Sequence, residues 1–365
     1  MGIADARGRA EGARLGDGGT REDMHTILFR HRLEVAIRYF WYKFKLLIRQ
    51  NVNVDKNFFV GDAAVRFANG ALPKGTRITC GGRTDGLGMQ ALARMSGMNF
   101  AKAFGATYVD TPFRRMGHAP GEMADWLKSW EDLFNFGAGE ERISTGNYKV
   151  INYSEYLANE SILAENVVLR FQQCYWLNRR YPDTFEAVAP SFRDKIGLSP
   201  YRDANDEIAV AVHIRRGDVS AKKNASRFTP NSKILKSIAC LGQISRNLNR
   251  KLAISVYSQG NPSDFAEFAE VGCQLHIDSD AIWTMRKLVE ADVLIMSKSS
   301  FSFVAAVINR GVKIYEDSFN PPLSDWIAKR SDGSFDQDLA ELKLKDYLAG
   351  ASTRAFEPEL ARASG

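Results

Sequence analysis

The sequence predicts an α/β protein in which helices cover parallel sheets. Five short apolar segments after residue 205 alternate with segments of helical spacing, which is typical of a parallel sheet covered on both faces. A glycine-rich turn near residue 82 joins an apolar strand to a helix, so an earlier α/β unit precedes this sheet in the chain. The length of 365 residues exceeds the needs of one small core and favours two domains.

The composition is that of a globular chain with a moderate excess of positive charge. Hydrophobic residues make up 45% of the sequence and charged residues 25%, and the net charge is +6. This excess is compatible with an anionic partner, such as nucleic acid, lipid or a phosphorylated small molecule. The chain has no polybasic block and no aromatic-plus-basic RNA-binding signature, so nucleic acid is not an expected partner.

The number and spacing of the cysteines indicate the redox environment of the protein. Cys80, Cys174, Cys240 and Cys273 lie far apart in the sequence and include no CxxC pair, which argues against a zinc site and a disulfide framework. No segment of about 18 apolar residues could span a membrane. We therefore predict free thiols and a cytoplasmic location.

The first 50 residues divide into two parts. Residues 1–23 lack an apolar core and are expected to be a disordered tail rather than a signal peptide. Residues 24–50 are predicted to form an amphipathic helix, with an apolar stripe opposite a basic side that includes Arg38 and Lys45. Two interpretations of the stripe stay open: packing on the next domain, or peripheral contact of residues 24–49 with anionic lipid at the inner face of the membrane.

The predicted N-terminal domain covers residues 74–196. Thr76–Gly82 is predicted as a strand, followed by a helix that ends at Gly105 and a second strand over residues 106–111. Arg114–Arg193 contains aromatic segments of helical spacing, and we expect mostly helix there.

The predicted C-terminal domain covers residues 205–325, after a Pro- and Gly-containing break at Gly197–Glu207. Its predicted strands are IAVAVHI, LAISVYS, CQLHID, DVLIMS and VKIYED, with helices between them. Residues 326–365 are expected to form a helical extension and tail. Ligands of such sheets bind beyond the carboxyl ends of the strands, which is where the polar clusters of this half lie.

The segment HIRRGD follows the first of these strands with His213, Arg215, Arg216 and Asp218. Adjacent side chains on an extended segment point to opposite sides. One arginine is therefore expected to face the ligand cleft and the other to pair with a carboxylate, for which Asp218 is the candidate. A guanidinium suits a diphosphate because its planar fork donates bidentate hydrogen bonds. The alternative is an ion-pair cluster that only closes the strand.

The segment SKSSFSFVAAVIN places Ser297, Ser299, Ser300 and Ser302 before an apolar helix. Hydroxyls and free backbone N–H groups at a helix N-terminus form an anion site, and four serines exceed what a helix cap requires. We favour a phosphate site over the alternative of simple N-capping.

Two further segments are weaker signals. In GGRTDGLGMQ, the glycines Gly86 and Gly88 would let a phosphate or substrate approach the backbone, with Asp85 and Arg83 as the polar members. The alternative is a plain tight turn. In HIDSD, Asp278 and Asp280 have the spacing of a Mg²⁺ or Mn²⁺ site beside a diphosphate. We favour the alternative, a helix cap at Asp280, because the arginines already supply positive charge.

Taken together, these segments resemble the motifs of the fucosyltransferase superfamily that contains the α1,2-, α1,6- and protein O-fucosyltransferases. HIRRGD is similar to the HxRRGD motif. SSFSFVAAVIN is similar to the SSFSWWAAxxN motif of bacterial α1,2-fucosyltransferases, with Phe303 and Val304 in place of the tryptophan pair. DGLGMQ resembles GLGNQ, with Met89 in place of the asparagine. The order of the three segments agrees with the family over roughly residues 76–315.

The resemblance implies a GT-B architecture, in which two Rossmann-like domains face each other across a cleft. It implies inverting, metal-independent transfer from GDP-fucose, which is a substrate, with no cofactor. By position, Arg215 or Arg216 would neutralise the β-phosphate. Ser299 and Ser300 would line the same diphosphate, and His213 would support the donor site. Our further candidate donor contacts are Asp218, Asp280, Ser297 and Ser302.

On the acceptor side, the loop of Gly86, Gly88 and Gln90 would face a glycan or lipid-linked glycan, and Asp85 is our candidate base. Two alternatives stay open. One is a transferase on the same scaffold with another nucleotide sugar, and the other is a non-catalytic relative that binds nucleotide or glycan.

Overall fold

The computed structural model describes residues 56–115, 122–196 and 207–355. The predicted tail (1–23) and amphipathic helix (24–50) lie outside the described residues, as does nearly all of the predicted break at Gly197–Glu207. These three features, and the predicted domain limits, stay predictions.

The first half contains a five-stranded sheet in which every strand pair is parallel, with the order β3-β2-β1-β5-β4. Its strands are β1 (Arg77–Cys80), β2 (Thr107–Asp110), β3 (Glu141–Arg142), β4 (Lys149–Asn152) and β5 (Val167–Phe171). The helices described in this half are α1 (Lys56–Ala68), α2 (Leu87–Phe104), α3 (Met123–Phe134), α4 (Tyr153–Ala158), α5 (Tyr175–Arg180) and α6 (Pro182–Ile196).

The expectation of mostly helix over Arg114–Arg193 is wrong for β3, β4 and β5. Strand β5 has the sequence VVLRF, is largely buried and lies beside β1, with Ile78 opposite Leu169. A short apolar run of this kind cannot be distinguished from a buried helix by periodicity alone. Its two leading valines favour the strand because β-branched side chains fit a pleated surface.

The second half contains a six-stranded, fully parallel sheet with the order β11-β10-β9-β6-β7-β8. Its strands are β6 (Glu207–His213), β7 (Lys251–Ser258), β8 (Gln274–Ile277), β9 (Val293–Ile295), β10 (Val312–Tyr315) and β11 (Ile327–Ala328). The helices are α7 (Asn231–Leu248), α8 (Ala266–Glu270), α9 (Ala281–Glu290), α10 (Ser300–Ile308) and α11 (Gln337–Ala355). The two parallel sheets and their helices confirm the predicted α/β class with two Rossmann-like halves.

The core cluster of the second half lies on one face of the sheet, where alternate residues of the central strands are buried. Ile208, Val210 and Val212 of β6 are each no more than 2% exposed. Val293 and Ile295 of β9 pack into the same cluster. Helix α10 follows β9 directly and packs on α2 of the first half. The central strands and α2 therefore fix the position of the polar residues at the carboxyl ends of β6 and β9.

All four cysteines are free and buried. The Sγ atoms of Cys80, at the end of β1, and Cys174, just before α5, are 3.5 Å apart. Burial raises the pKa of the Cys174 thiol well above its ordinary value, and the neighbouring sulfur adds to this effect. Cys240 and Cys273 belong to the second half, in α7 and before β8 respectively.

Within the described ranges, no helix combines the length and the apolar character needed to cross a bilayer.

Candidate functional site

The strand order of the second sheet reverses between β6 and β9. From β6 the chain proceeds to β7 and β8 on one side, and it then returns to β9, β10 and β11 on the other side. Ligands of open α/β sheets bind at such a point, beyond the carboxyl ends of the strands. His213 ends β6, and Ser297 lies just after β9. Two of the predicted clusters therefore meet at this crevice.

Arg215 connects the two clusters. Its Nη1 donates a hydrogen bond to Ser299 Oγ over 3.1 Å. Its Nε and Nη2 donate to the two carboxylate oxygens of Asp218 over 3.1 and 2.8 Å. Burial acts to raise the pKa of Asp218, but the hydrogen bonds and charge of Arg215 outweigh it and hold that pKa below its usual value. Arg215 and Asp218 thus form an ionised pair whose charges cancel.

Arg216 is bound to the loop around it. Its Nη1 donates to the carbonyl of Arg215, and its Nη2 donates to the carbonyl of Thr229 and to Asn231 Oδ1. The guanidinium also lies 4.4 Å from the ring centroid of Phe228. Arg216 therefore fixes the segment that leads into α7.

The division of roles between the two arginines differs from the expectation. Asp218 was expected to pair with the arginine that does not face the cleft, but it pairs with Arg215, which also reaches Ser299. The alternation rule applies only while the strand continues, and β6 ends at His213. The chain then turns at Gly217, whose φ of +75° is favoured by glycine.

His213 and Ser297 lie side by side at the end of the two strands. His213 Nδ1 and Ser297 Oγ are 2.8 Å apart, and the imidazole ring lies 5.5 Å from the ring of Phe301. Desolvation, assisted by the charge of Arg215, lowers the pKa of His213 to about 3. His213 is therefore a neutral imidazole at physiological pH.

The serine segment turns tightly into α10. Ser299 is the N-cap of this helix, and its Oγ accepts from the backbone N–H of Phe301 over 3.3 Å. Ser302 is fully buried and its hydroxyl contacts the backbone of Ser297 and Ser299. Ser299 thus caps the helix and accepts from Arg215 at the same time, whereas Ser302 fixes the backbone of the turn.

The glycine-rich segment of the first half touches this turn through the start of α2, because Gly88 and Gln90 lie in the first turn of that helix and not in the predicted loop. A Cβ atom on Gly88 would lie 2.5 Å from the backbone N of Phe301 and 2.7 Å from Ser300 Oγ, which is too close for any side chain. Gly86, two residues earlier, has no such neighbour within 4 Å. The third predicted segment is therefore brought to the other two, and it is Gly88 that permits the contact.

Asp85 lies three residues before this contact. Because each residue spans at most about 3.6 Å, its backbone is within about 11 Å of Gly88. The carboxylate forms a bidentate ion pair with Arg83, whose Nε donates over 3.0 Å. Gln90 holds the loop by donating to the carbonyls of Asp85 and Arg115, each over 2.7 Å.

Three residues of the crevice were missed by the sequence predictions: Arg227, Thr229 and Glu316 line the same cleft as Arg215. Glu316 accepts from Thr229 Oγ1 over 2.6 Å and from Lys329 Nζ over 2.7 Å. The positions of Thr229 and Glu316 could have been inferred, since the first precedes α7 and the second follows β10 at the carboxyl edge. Neither belongs to a recognisable motif.

The two aspartates of HIDSD have local roles. Asp280 Oδ1 accepts from the backbone N–H of Trp283 over 2.7 Å and caps α9. Asp278 has a φ of +52° and accepts from the backbone N–H of Gly260. Among the described residues, no group of three His, Cys, Asp or Glu side chains is arranged to hold a metal ion. A contact of Asp280 with the donor stays a prediction.

Phe303 and Val304, which differ from the SSFSWWAAxxN motif, lie in the interior of the protein. Phe303, which stands in place of the first tryptophan, is buried with its ring centroid 5.0 Å from that of Trp326. Val304 is fully buried. Both side chains therefore belong to the packed interior of the second half.

Comparisons with known proteins give only distant structural similarity. No protein-family model and no curated protein matches this sequence. The crystal structure of fucosyltransferase NodZ from Bradyrhizobium is 12% identical, with a TM-score of 0.37 over 64% of this chain and 93% of that one. E. coli heptosyltransferase WaaC with ADP-2-deoxy-2-fluoro heptose is 13% identical, with a TM-score of 0.34 over 78% of this chain and 100% of that one.

A structure of POFUT1 in complex with GDP is 12% identical, with a TM-score of 0.30 over 65% of this chain and 96% of that one. At this degree of overlap, a functional inference has to come from the side chains of this chain.

Proposed function

We propose that this chain is a glycosyltransferase that moves a sugar, fucose from GDP-fucose, onto a hydroxyl of a glycan. One observation carries the proposal: Arg215 is held between Asp218 and the N-cap Ser299 at the switch point of a parallel sheet. A guanidinium and a helix N-terminus that converge on one crevice are suited to an anionic diphosphate.

The proposed reaction is an inverting displacement. The acceptor oxygen forms a bond to the anomeric carbon, and the bond from that carbon to the β-phosphate oxygen breaks. The electron pair of the broken bond stays on the diphosphate, and the acceptor proton passes to a base. A positive group fixed beside the diphosphate stabilises charge that develops in the transition state. No cofactor and no metal take part in this scheme.

Asp85 is the proposed base on the acceptor side. Asp85 precedes α2, whose first turn contacts the N-terminus of α10 at Gly88, and it does not belong to the donor half. The ion pair with Arg83 fixes its orientation. A carboxylate held in this way can accept a proton from an acceptor hydroxyl within hydrogen-bond distance.

A donor screen tests the proposal. Purified full-length protein is incubated with GDP-fucose, other GDP-sugars and UDP-sugars, together with a crude glycan mixture, and release of the nucleoside diphosphate is measured. We expect release from GDP-fucose that depends on Arg215. Release from a different donor alone would support the alternative of the same scaffold with another sugar. Binding of GDP without release from any donor would support a non-catalytic relative.

A further inference from the structure

If Arg215 were the only contact, the net positive charge at the crevice would be too small to neutralise a diphosphate. The Arg215–Asp218 pair is neutral as a unit, and so is the Lys329–Glu316 pair, of which Glu316 lines the cleft. Arg216 contributes charge, but its hydrogen bonds go to the carbonyls of Arg215 and Thr229 and to Asn231. A doubly charged ligand would therefore need another donor.

Arg227 has the properties that this donor requires. It lines the same cleft as Arg215, Thr229 and Ser297. Its charge contributes to the low pKa of Asp218, so its guanidinium acts on the Arg215–Asp218 pair. The side chain is exposed and, among the described residues, its guanidinium has no hydrogen-bond or ion-pair partner. Its planar fork is thus free to bind an anion.

The loop that carries Arg227 is held in place by several contacts. Ala225–Arg227 form a short 3₁₀ turn, and Asn224 before it donates from Nδ2 to the carbonyl of Asp218 over 2.8 Å. Lys298 Nζ donates to the carbonyl of Ser226 over 3.3 Å. Since Lys298 immediately precedes Ser299, this contact ties the loop to the rim of the serine turn.

We propose that Arg227 is a second donor-binding residue, which contacts the diphosphate of the nucleotide sugar directly and neutralises it as the sugar leaves. This inference rests on the proposed function and adds to it. In this arrangement Arg215 keeps its role beside the diphosphate although Asp218 offsets its charge. Arg227 adds a second guanidinium that, within the described ranges, forms no ion pair. A free guanidinium is well suited to a phosphate because it can donate two parallel hydrogen bonds.

Equilibrium binding of GDP and of inorganic pyrophosphate to the full-length protein tests this role. We expect Arg227→Ala to weaken both ligands by about 10- to 150-fold, which corresponds to a hydrogen bond to a charged group. Arg227→Lys should recover only part of the loss because it keeps the charge and not the fork. The melting temperature should not change, because the side chain is exposed.

Arg246→Ala is the matched control. Arg246 is exposed in the last turn of α7, and its Nη2 donates to Gln243 Oε1. It follows Ile234, which lines the cleft, by 12 residues, which is about 18 Å along the helix at a rise of about 1.5 Å per residue. The control removes the same charge from the protein, so we expect it to bind both ligands like the wild type.

The binding results distinguish a failure of the Arg227 proposal from a failure of the proposed function. If the wild type binds GDP, and Arg227→Ala binds it as tightly as Arg246→Ala does, the inference is overturned and the proposed function stands. If the wild type binds neither GDP nor any other nucleoside diphosphate, the proposed function fails, and the inference fails with it.

A double-mutant cycle with Asp218→Asn adds a second test. This change frees the guanidinium of Arg215 to face the ligand, so removal of Arg227 should cost less in that background than in the wild type. Equal costs in the two backgrounds would mean that Arg215 and Arg227 do not share the ligand's charge, and would overturn the inference.

Discussion

Gly88 and Phe301 lie in van der Waals contact through their backbones, although they are more than 200 residues apart in the sequence. The contact joins the glycine-rich loop of one parallel sheet to the helix that follows the switch point of the other. It is the point where the two halves of the candidate site meet.

Replacement of Gly88 tests this contact. We expect Gly88→Ala to destabilise the protein by about 1–3 kcal/mol, as for overpacking of a close contact, because the neighbouring atoms belong to the backbone and cannot rotate away. Urea unfolding measures the change. Gly86→Ala is the control, since a Cβ there meets nothing within 4 Å and its φ of −63° is compatible with alanine. Equal stability of the two variants would contradict the prediction.

Replacement of Arg215 tests the donor site. We expect Arg215→Ala to lower kcat by about 100- to 1000-fold, as for loss of another group that stabilises developing negative charge. Arg215→Lys should restore little because an ammonium cannot span Asp218 and Ser299 with a bidentate fork. Steady-state release of GDP from GDP-fucose measures both variants. Near-normal turnover of Arg215→Ala would move this role to Arg216.

Removal of metal tests the mechanism. We expect transfer to continue in excess EDTA, because arginine side chains and the N-terminus of α10 supply the positive charge. Asp278→Asn should also cost little, since Asp278 accepts from the backbone of Gly260. Complete loss of turnover in EDTA, with recovery on addition of Mg²⁺ or Mn²⁺, would instead support a metal-dependent reaction.

Titration of His213 predicts a pH dependence of stability. Its pKa is lowered to about 3 in the folded protein by desolvation and by Arg215, whereas an unfolded histidine titrates near 6.5. Between these two pH values the unfolded state binds a proton that the folded state does not. This contribution to the free energy of unfolding is therefore present above pH 6.5 and is lost as the pH falls towards 3.

We expect His213→Gln to flatten the pH dependence of the urea midpoint between pH 7 and pH 4.5. Glutamine can still bond to Ser297 but takes no proton in this range. Parallel curves for the variant and the wild type would show that His213 does not carry the effect.

The N-terminal segment gives a prediction that comes from the sequence alone. At a membrane surface, basic residues of 24–49 would each contribute up to about 1 kcal/mol of attraction to anionic lipid. We expect the full-length protein to co-sediment with anionic vesicles in a salt-sensitive manner, and deletion of residues 1–49 to abolish this. GDP affinity should not change. Absence of vesicle binding together with insolubility of the truncated protein would favour packing of the segment on the fold.

The sequence was sufficient to place the polar clusters but not to predict their bonding. Regular alternation of apolar strands and helices places His213 and Ser297 at carboxyl ends, and it therefore predicts that they lie at one edge of the sheet. That they are direct neighbours depends on strand order, which puts β9 beside β6 although β7 and β8 come between them in the chain. Strand order is a tertiary property with no local signal in either segment.

The bonding of the arginines could not be predicted for a similar reason. Arg216 binds Thr229 and Asn231, which lie 13 and 15 residues later, just before α7 and at its first residue. Arg227 was overlooked because one basic residue in a polar loop has no periodicity and no motif. Its proposed role follows only from the structure, in which the nearby carboxylates Asp218 and Glu316 are paired with Arg215 and Lys329.

The four buried thiols provide a natural set of reporters on unfolding. Cys80 and Cys174 belong to the first sheet and its helices, whereas Cys240 and Cys273 belong to the second, and none is more than 6% exposed. An alkylating reagent can reach each thiol only when the surrounding structure opens. Mass spectrometry of the modified peptides would therefore measure the rate at which each half opens. No label has to be introduced into the chain. It would show whether the contact at Gly88 makes the two halves unfold as one cooperative unit.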